Sequence, residues 1–518
     1  MQRMMIAAVL AVTSTTFAGT FVCEPQQTAK LTADDGAIEE FFGNSVALDA
    51  GVAVIGAYDN GIQSGSAYIY EQQGDGTWQQ LAKLTANDGV DGDKFGTSVA
   101  ISGGVAIIGA YGDGSESGSA YVFEQQEDGT WVQSAKLTAD DGDSQDYFGN
   151  SVALDAGVAV IGAYGTDVNG SQSGSAYVYE QQGDGMWQQI SKLTPDDGAT
   201  NDGFGKSVAL DAGVAVIGAD SDDDMGDSSG SVYVYEQQGN GTWLQIAKLT
   251  ADDGAEGDNF GNSVALDADV AVIGAEFDDD KGPQSGSVYV FERQGNGGWL
   301  QIAKVTADDG SMNDTFGYSV ALDSGVAVIG AWLDSDIAEF SGSAYVCEQQ
   351  LDGTWQQIAK LTPNDGTSND YFGHSVATSG GVAVIGSPGN DDDNGNESGS
   401  AYVYEQQADG GWNPNALIDC NENGICDFDE IAAVPIKDAD ENGTLDECEV
   451  GACCIGTAVV CTISMESDCL QFGGQWQGLE TTCEEVDCPT SCLGDLTGSG
   501  DVVIHDLLIL LEHWGPCP

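Results

Sequence analysis

Two twelve-residue segments near the C-terminus carry oxygen-bearing side chains at the spacing of a calcium-binding loop. In such a loop, positions 1, 3 and 5 supply side-chain oxygens, and a glycine at position 6 allows a sharp turn. Position 7 ligates through its backbone carbonyl, position 9 often acts through a water molecule, and the final glutamate is bidentate. Calcium is therefore the cofactor that the sequence predicts, and an acidic linker is the alternative. The expected ligands are Asp419, Asn421, Asn423, Ile425, Asp427 and Glu430 in one loop and Asp438, Asp440, Asn442, Thr444, Asp446 and Glu449 in the other.

A third segment, residues 495–506, matches the same loop only in part. Threonine and serine stand where stronger ligands are usual, and a valine occupies position 9, so the segment is a degenerate calcium loop. An amphipathic helix is predicted after it, ending before Gly515 and Pro516. The candidate ligands are Asp495, Thr497, Ser499, Asp501 and Asp506.

Eleven of the 13 cysteines lie between Cys420 and Cys517. Residues 450–492 contain no Cys-x-x-Cys pair, which zinc sites usually show, so we predict a disulfide-rich module with zinc as the alternative. Because the total is odd, at least one thiol is free or pairs across regions. A bond between Cys23 and Cys347 is one pairing that the sequence leaves open.

Residues 1–18 have the composition of a secretory signal peptide, with Arg3, an apolar run and a Thr/Ser-rich stretch that ends at Ala18. A buried N-terminal strand is the alternative. No apolar run is long enough to span a bilayer, so the mature chain is expected to be secreted or at the cell surface. Its net charge of −71 would repel phosphate backbones and anionic lipids, which excludes nucleic-acid and membrane-surface binding.

The part of the chain that precedes these calcium loops consists of repeats. A phrase close to FGNSVALDAGVAVIGAY recurs at spacings of 53 or 56 residues, and each unit holds four short β-prone runs separated by turn residues. Four strands per unit predict a propeller blade, so residues 26–412 are expected to form an all-β, seven-bladed propeller. The Phe-Gly pairs begin at Phe42, Phe95, Phe148, Phe204, Phe260, Phe316 and Phe372.

The phase of the repeats predicts how the ring closes. The seventh unit stops at Trp412 without its fourth strand. The sequence of that strand appears before the first unit, at residues 26–32. We therefore expect this N-terminal strand to join the last blade, which removes the free sheet edges of an open array.

Residues 26–412 resemble FG-GAP repeats, the blades of seven-bladed propellers related to the integrin α-subunit head, in an exported bacterial form. The resemblance rests on Phe-Gly, Gly-Ala and Ser-Gly-Ser recurring in register. It implies a calcium loop before each Gly-Ala strand, but that place holds short phrases such as LDAG, with one aspartate, or ISGG, with none. One carboxylate cannot supply six or seven oxygens, so these positions are expected to be plain hairpin turns.

Every unit also carries two acids in the pattern Asp-Gly-x-x-x-Asp/Glu-x-Phe-Gly. We expect each Asp-Gly to form a turn and each second acid to accept backbone N–H bonds, with a weak cation site as the alternative. Further acidic loops start at Asp220, Glu276 and Gly389. They are expected to be solvated tips rather than calcium sites, because they differ between units.

One tryptophan per unit, at a constant position, is expected to pack between strands rather than to stack on a ligand. Departures from the repeat are more informative. Trp332 and Phe340 interrupt an otherwise polar loop in the sixth unit, so they are the candidate ligand-contact patch.

The tail is expected to form three modules. The loops in residues 413–449 resemble EF-hand loops and the calcium repeats of secreted thrombospondin-type and related bacterial proteins. Residues 450–492 form the cysteine-rich module, and residues 493–518 resemble half of a dockerin. That resemblance implies a cohesin-like or cell-surface partner, while a stalk and a structural cap are the alternatives.

These features favour a secreted or cell-surface calcium-binding protein that is monomeric, is not an enzyme and binds an extracellular protein or polysaccharide. With only three histidines and a sevenfold repetition of its acid pairs, the chain offers no catalytic constellation. The alternative is a polysaccharide-degrading enzyme or accessory protein attached through its dockerin-like end. A purely structural envelope protein is a third possibility.

Overall fold

The computed structural model describes residues 27–59, 64–391, 397–406 and 412, and the backbone of three strands between residues 450 and 479. The chain divides into two compact units, one of which covers residues 24–413. This unit contains seven four-stranded antiparallel sheets, as the repeats predict.

Each sheet is one blade, and its first strand begins just after or at a Phe-Gly pair. In blades 1 to 3 the strands are β2 (Ser45–Asp49), β3 (Val52–Ala57), β4 (Ser66–Gln72), β5 (Trp78–Leu84); β6 (Phe95–Ser102), β7 (Val105–Ala110), β8 (Ser119–Gln125), β9 (Trp131–Leu137); and β10 (Val152–Asp155), β11 (Val158–Ala163), β12 (Ser175–Gln181), β13 (Trp187–Leu193). A short helical turn, α1 (Asp113–Glu116), lies between β7 and β8.

Blades 4 to 6 repeat this order, and blade 7 has three strands from the end of the repeat region. The strands are β14 (Val208–Asp211), β15 (Val214–Ala219), β16 (Ser231–Gln237), β17 (Trp243–Leu249); β18 (Phe260–Asp267), β19 (Val270–Ala275), β20 (Ser287–Arg293), β21 (Trp299–Val305); β22 (Ser319–Asp323), β23 (Val326–Ala331), β24 (Ser343–Gln349), β25 (Trp355–Leu361); and β26 (Ser375–Ser379), β27 (Val382–Ser387), β28 (Ser400–Glu405).

The predicted closure of the ring is confirmed. Strand β1 (Gln27–Leu31) pairs antiparallel with β28, and the order of the last sheet is β1-β28-β27-β26. The innermost strand of each blade contacts that of the next, and β26 contacts β2. Trp412 is buried in the same blade, so both ends of the repeat region complete blade 7.

The hydrophobic core lies between neighbouring blades. The second strand of each sheet is apolar without alternation because both of its faces are covered, as shown by the almost fully buried VAVIGA runs. The repeated tryptophans pack against these clusters, which confirms their structural role. Cys347 is a free, buried thiol in one cluster, and its suggested partner Cys23 lies outside the described residues.

The recurring glycines explain the close seams between blades. Gly65 has a φ of +82°, and a Cβ atom there would collide with the backbone oxygen of Phe95 in the next blade. Gly65 and Phe95 form a parallel bridge at this point. In addition, the serine two positions after the glycine of each Phe-Gly pair donates to the glycine carbonyl of the next pair. Ser375 completes the circle by donating to Gly43 O at 2.8 Å.

Because the strands alternate in direction, the two ends of the propeller carry different loops. We call the upper face the end that bears the connections between blades and the loops between second and third strands. The lower face bears the hairpins between first and second strands and those between third and fourth strands. The LDAG segments are hairpin turns on this lower face, as expected.

In the second unit, the structure describes a three-stranded antiparallel sheet in the order β30-β29-β31. Its strands are β29 (Val450–Ile455), β30 (Val460–Met465) and β31 (Gln475–Leu479), all within the predicted cysteine-rich module. Throughout the described ranges of the chain, no helix is both long and apolar enough to cross a bilayer.

Candidate functional site

The acids of the upper face are held by lysines of the same protein. In blade 5, Lys304 at the end of β21 has its Nζ 2.8 Å from Asp253, 2.9 Å from Asp278 and 2.6 Å from Asp280. The ammonium group also lies over the ring of Tyr289, whose hydroxyl donates to Asp253 and Asp278. We call this arrangement the lysine clasp. Its lysine recurs in every blade, as Lys83, Lys136, Lys192, Lys248, Lys304, Lys360 and, from β1, Lys30.

The clasp ties the connection from the preceding blade to the outer strand of its own blade. Burial alone would lower the pKa of Lys304, but its hydrogen bonds to the three carboxylates outweigh burial and hold that pKa above the usual value. Burial and the neighbouring carboxylates raise the pKa of Tyr289. The lysine therefore stays charged and lies between the three carboxylates.

The second acid of each pair accepts a backbone N–H bond, as predicted. Asp258 accepts from Ala255 N at 2.7 Å, and the same bond from the residue three positions earlier occurs in all seven units. Burial raises the pKa of Asp258, and this effect outweighs the hydrogen bond from Ala255 N, which lowers it. These acids close the Asp-Gly turns and bring the chain back toward the axis.

The prediction of solvated acidic tips is wrong for one acid in each of two loops, the first of three consecutive aspartates. Asp222 and Asp278 are 4% exposed and accept hydrogen bonds from a serine, a tyrosine and a lysine, because their loops fold back over the clasp. Their neighbours Asp223 and Asp279 are exposed, as expected.

The calcium loops of the integrin-type blade do not fit the residues present here. Asp49 uses Oδ2 to accept the N–H of Gly103 in the next blade at 2.8 Å. Asp155, Asp211, Asp267 and Asp323 make the same bond to the blade after theirs. The single aspartates are thus latches between blades. In the described parts of the chain, no cluster of three or more His, Cys, Asp and Glu side chains could hold a metal ion.

The repeat breaks down around the axis of the upper face, where an axial cavity of about 270 Å³ is lined by each blade in turn. The residue after each Phe-Gly pair lies at this cavity, and we call these residues the axial ring. Unlike the serine that follows each of them, they differ in type: Asn44, Thr97, Asn150, Lys206, Asn262, Tyr318 and His374.

His374 joins the axial ring to its neighbours. Its Nδ1 lies 3.1 Å from the carbonyl oxygen of Asn44, so Nδ1 carries the proton and Nε2 accepts from the Tyr318 hydroxyl at 3.2 Å. Burial lowers the pKa of His374 to about 4, so the ring is neutral at pH 7. The histidine is therefore a fixed hydrogen-bonding group rather than a charge.

A second ring is formed by the residue that follows each Gly-Ala or Gly-Ser pair. Tyr147 stacks on Tyr164 at 5.0 Å between centroids, and Phe41 stacks on Tyr58 at 5.2 Å. The second ring is thus aromatic in blades 6, 1, 2 and 3, and blade 7 contributes a proline to it. The members of the second ring are Tyr58, Tyr111, Tyr164, Asp220, Glu276, Trp332 and Pro388.

In blades 4 and 5 the second ring is acidic instead. Burial raises the pKa of Glu276 to about 7, and the charge of Asp220 raises it further while Lys206 opposes the rise. Burial also raises the pKa of Asp220. Lys206 is exposed and lies over the ring of Tyr164 at 5.1 Å, beside a cavity of about 380 Å³ that Asp220 also lines.

Of the two predicted ligand-contact residues, Trp332 lies in an aromatic group with Tyr318, Tyr371 and His374 at centroid distances of 4.9, 5.2 and 5.6 Å. Phe340 lies in the same loop, and its carbonyl accepts from Tyr371 N. Sequence reasoning missed the two rings. The sequence does indicate them, because the residue type varies at two fixed positions of the repeat that directly follow almost constant residues.

These sheets and faces define a closed propeller of seven internally repeated blades. The FG-GAP repeat family model matches residues 25–70, 78–123, 131–179, 187–235, 243–291, 299–347 and 355–404, which is more than half of the chain. The chain therefore belongs to the FG-GAP repeat family. No curated protein shows significant similarity to it. The predicted calcium ligands in residues 419–430, 438–449 and 495–506 lie outside the described residues.

Proposed function

We propose that this chain is an exported, calcium-binding protein that binds an extracellular protein or polysaccharide through the upper face of its propeller and does not transform it. One observation carries this proposal. The clasp lysine with its tyrosine and its first aspartate, the serine hydrogen bonds between blades and the blade cores recur in all seven blades, whereas the axial ring and the second ring differ from blade to blade. A surface that departs from the repeat on one face is suited to recognising one asymmetric ligand.

The chemistry of the rings suits such a ligand. Half-buried aromatic side chains offer apolar area and stacking surfaces at little cost in conformational entropy. Lys206, together with the amides and hydroxyls that line the neighbouring cavity, supplies polar contacts. In our proposal the C-terminal modules bind calcium through the two complete loops and attach the monomeric propeller to a cell-surface or cohesin-like partner.

The ligand surface can be tested on immobilised polysaccharides and extracellular proteins with the full-length chain. Once a panel member binds saturably, we expect Trp332→Ala and Lys206→Ala each to weaken binding at least about tenfold, because an aromatic or charged anchor is worth about 1.4 kcal/mol or more. Leu351→Ala is the matched control, because Leu351 is fully exposed on a lower-face hairpin. Equal loss in the control, or no loss in either ring variant, would contradict the assignment.

A second candidate function, polysaccharide degradation, is favoured by Asp220 and Glu276. Asp220 lines the cavity beside Lys206, and burial together with the charge of Asp220 raises the pKa of Glu276 to about 7, in the range of a general acid. The same polysaccharide panel separates the two functions. Saturable binding without release of reducing sugar supports the binding module, whereas release that Glu276→Gln abolishes supports the enzyme.

A further inference from the structure

The lysine clasp of blade 7 differs from the others in its chemistry. Its lysine comes from β1, and an amide stands where blades 2, 4, 5 and 6 have the carboxylates of Asp113, Asp222, Asp278 and Asp334. Lys30 Nζ lies 2.9 Å from Asn390 Oδ1, and Asn390 is only 2% exposed. A primary amine is thus held against a buried primary amide.

Three further groups surround this pair. Ser400 Oγ donates to Asn390 Oδ1 at 2.9 Å, so two donors already polarise the amide carbonyl. Asn390 Nδ2 donates to Asp370 Oδ2 at 2.9 Å, and Asp370 is 1% exposed. Asp365 lies 2.5 Å from Lys30 Nζ on its more exposed side. The amide therefore has an oxyanion donor at its oxygen and a carboxylate at its nitrogen.

We propose that Lys30 and Asn390 join in an intramolecular isopeptide bond that links β1 covalently to the rest of blade 7. Asp365 accepts one proton from the ammonium group, and a shift at the end of the lysine side chain carries Nζ from Oδ1 to the adjoining Cγ. A bond forms between Nζ and Cγ, with Ser400 donating to the oxyanion.

Collapse of this intermediate breaks the bond between Cγ and Nδ2. Asp370 carries the second Nζ proton to the departing nitrogen, which leaves as ammonia and takes up the proton that Asp365 held. The balance is lysine ammonium plus primary amide giving secondary amide plus ammonium ion, and it needs no oxidant or other reactant. Holding the two groups at contact distance in the folded state supplies the proximity that such a reaction needs.

The choice of asparagine restricts the reaction to blade 7. In the other blades that pair a clasp lysine with a loop aspartate, the partner is a carboxylate, which is a poor electrophile while ionised. The bond also has a specific use, because Lys30 and Asn390 are 360 residues apart and lie at the point where the ring closes. It would turn a hydrogen-bonded closure into a covalent one.

Intact-mass spectrometry of the purified and fully reduced full-length chain, with its N-terminus identified, tests this inference. We expect the mass to fall below that of the sequence by one ammonia molecule, and a protease digest to contain a branched peptide that joins Lys30 to Asn390. Lys30→Arg and Asn390→Ala should each restore the full mass, while Lys304→Arg, in a clasp without an amide, should keep the deficit. A wild-type mass equal to that of the sequence, with both peptides linear, would overturn the proposal without requiring any variant to fold.

Discussion

A chain that starts at Thr32, and so lacks β1, is expected to lose the closed propeller. Strand β1 supplies the fourth strand of blade 7, buries Leu31 and provides Lys30 to the clasp with Asp365. Without it, β28 becomes an exposed sheet edge, and the hydrophobic cluster between blades 7 and 1 loses Leu31. The loss is expected to consume most of the roughly 5 to 15 kcal/mol that stabilises a typical folded domain.

The matched control is a chain that starts at Glu24, which keeps β1 intact. Far-ultraviolet circular dichroism and denaturant unfolding compare the two. A synthetic peptide of residues 24–33 should restore cooperative unfolding to the shorter chain by pairing with β28. A shorter chain that unfolds with the same midpoint as the control would show that closure by β1 contributes little to the stability of the propeller.

Replacing a clasp lysine is the second large effect that we expect. Lys304→Met removes the ammonium group but keeps an apolar side chain, which leaves Asp278 buried without its cation. Water screens the half-exposed Asp253 and Asp280, so most of the loss in the free energy of unfolding comes from Asp278. Removing one partner of a buried pair costs about 3 kcal/mol or more, which denaturant unfolding at neutral pH measures as a lower midpoint.

Lys281→Met is the matched control, because Lys281 is exposed on the β19–β20 loop of the same blade. It should change stability by no more than about 0.5 kcal/mol. Burial alone would raise the pKa of Asp253, but Lys304 holds that pKa below its usual value, so the destabilisation of Lys304→Met should shrink as acid protonates Asp253. Equal unfolding midpoints for the two variants would mean that the clasp does not stabilise the blade.

Much of the fold follows from local sequence, because each blade is a run of neighbouring strands. The number of copies of the repeat gives the number of blades. The sequence of a fourth strand stands at residues 26–32, ahead of the first unit, and it predicts that β1 closes blade 7. The Asp-Gly turns also follow, since each second acid bonds to a backbone N–H only three residues earlier. Such features depend on contacts within one repeat.

The site was harder to predict because its residues are far apart in the sequence. Lys304 is 51 residues from Asp253, and an identical repeat does not reveal which lysine meets which acid. The burial of Asp222 was missed for the same reason, since a run of aspartates looks solvated until a lysine covers it. The axial ring needed the three-dimensional arrangement, because its members are more than 50 residues apart.

The central proposal concerns cations: we propose that lysines rather than metal ions neutralise the acids of the propeller, and that calcium binds in the tail. Calcium titration calorimetry on residues 24–413, on the full-length chain and on the full-length Glu430→Gln/Glu449→Gln variant tests it most directly. We predict no binding heat from the propeller alone, about two sites in the full chain, and their loss in the variant. Saturable calcium binding by residues 24–413 would contradict the account and place calcium in the propeller.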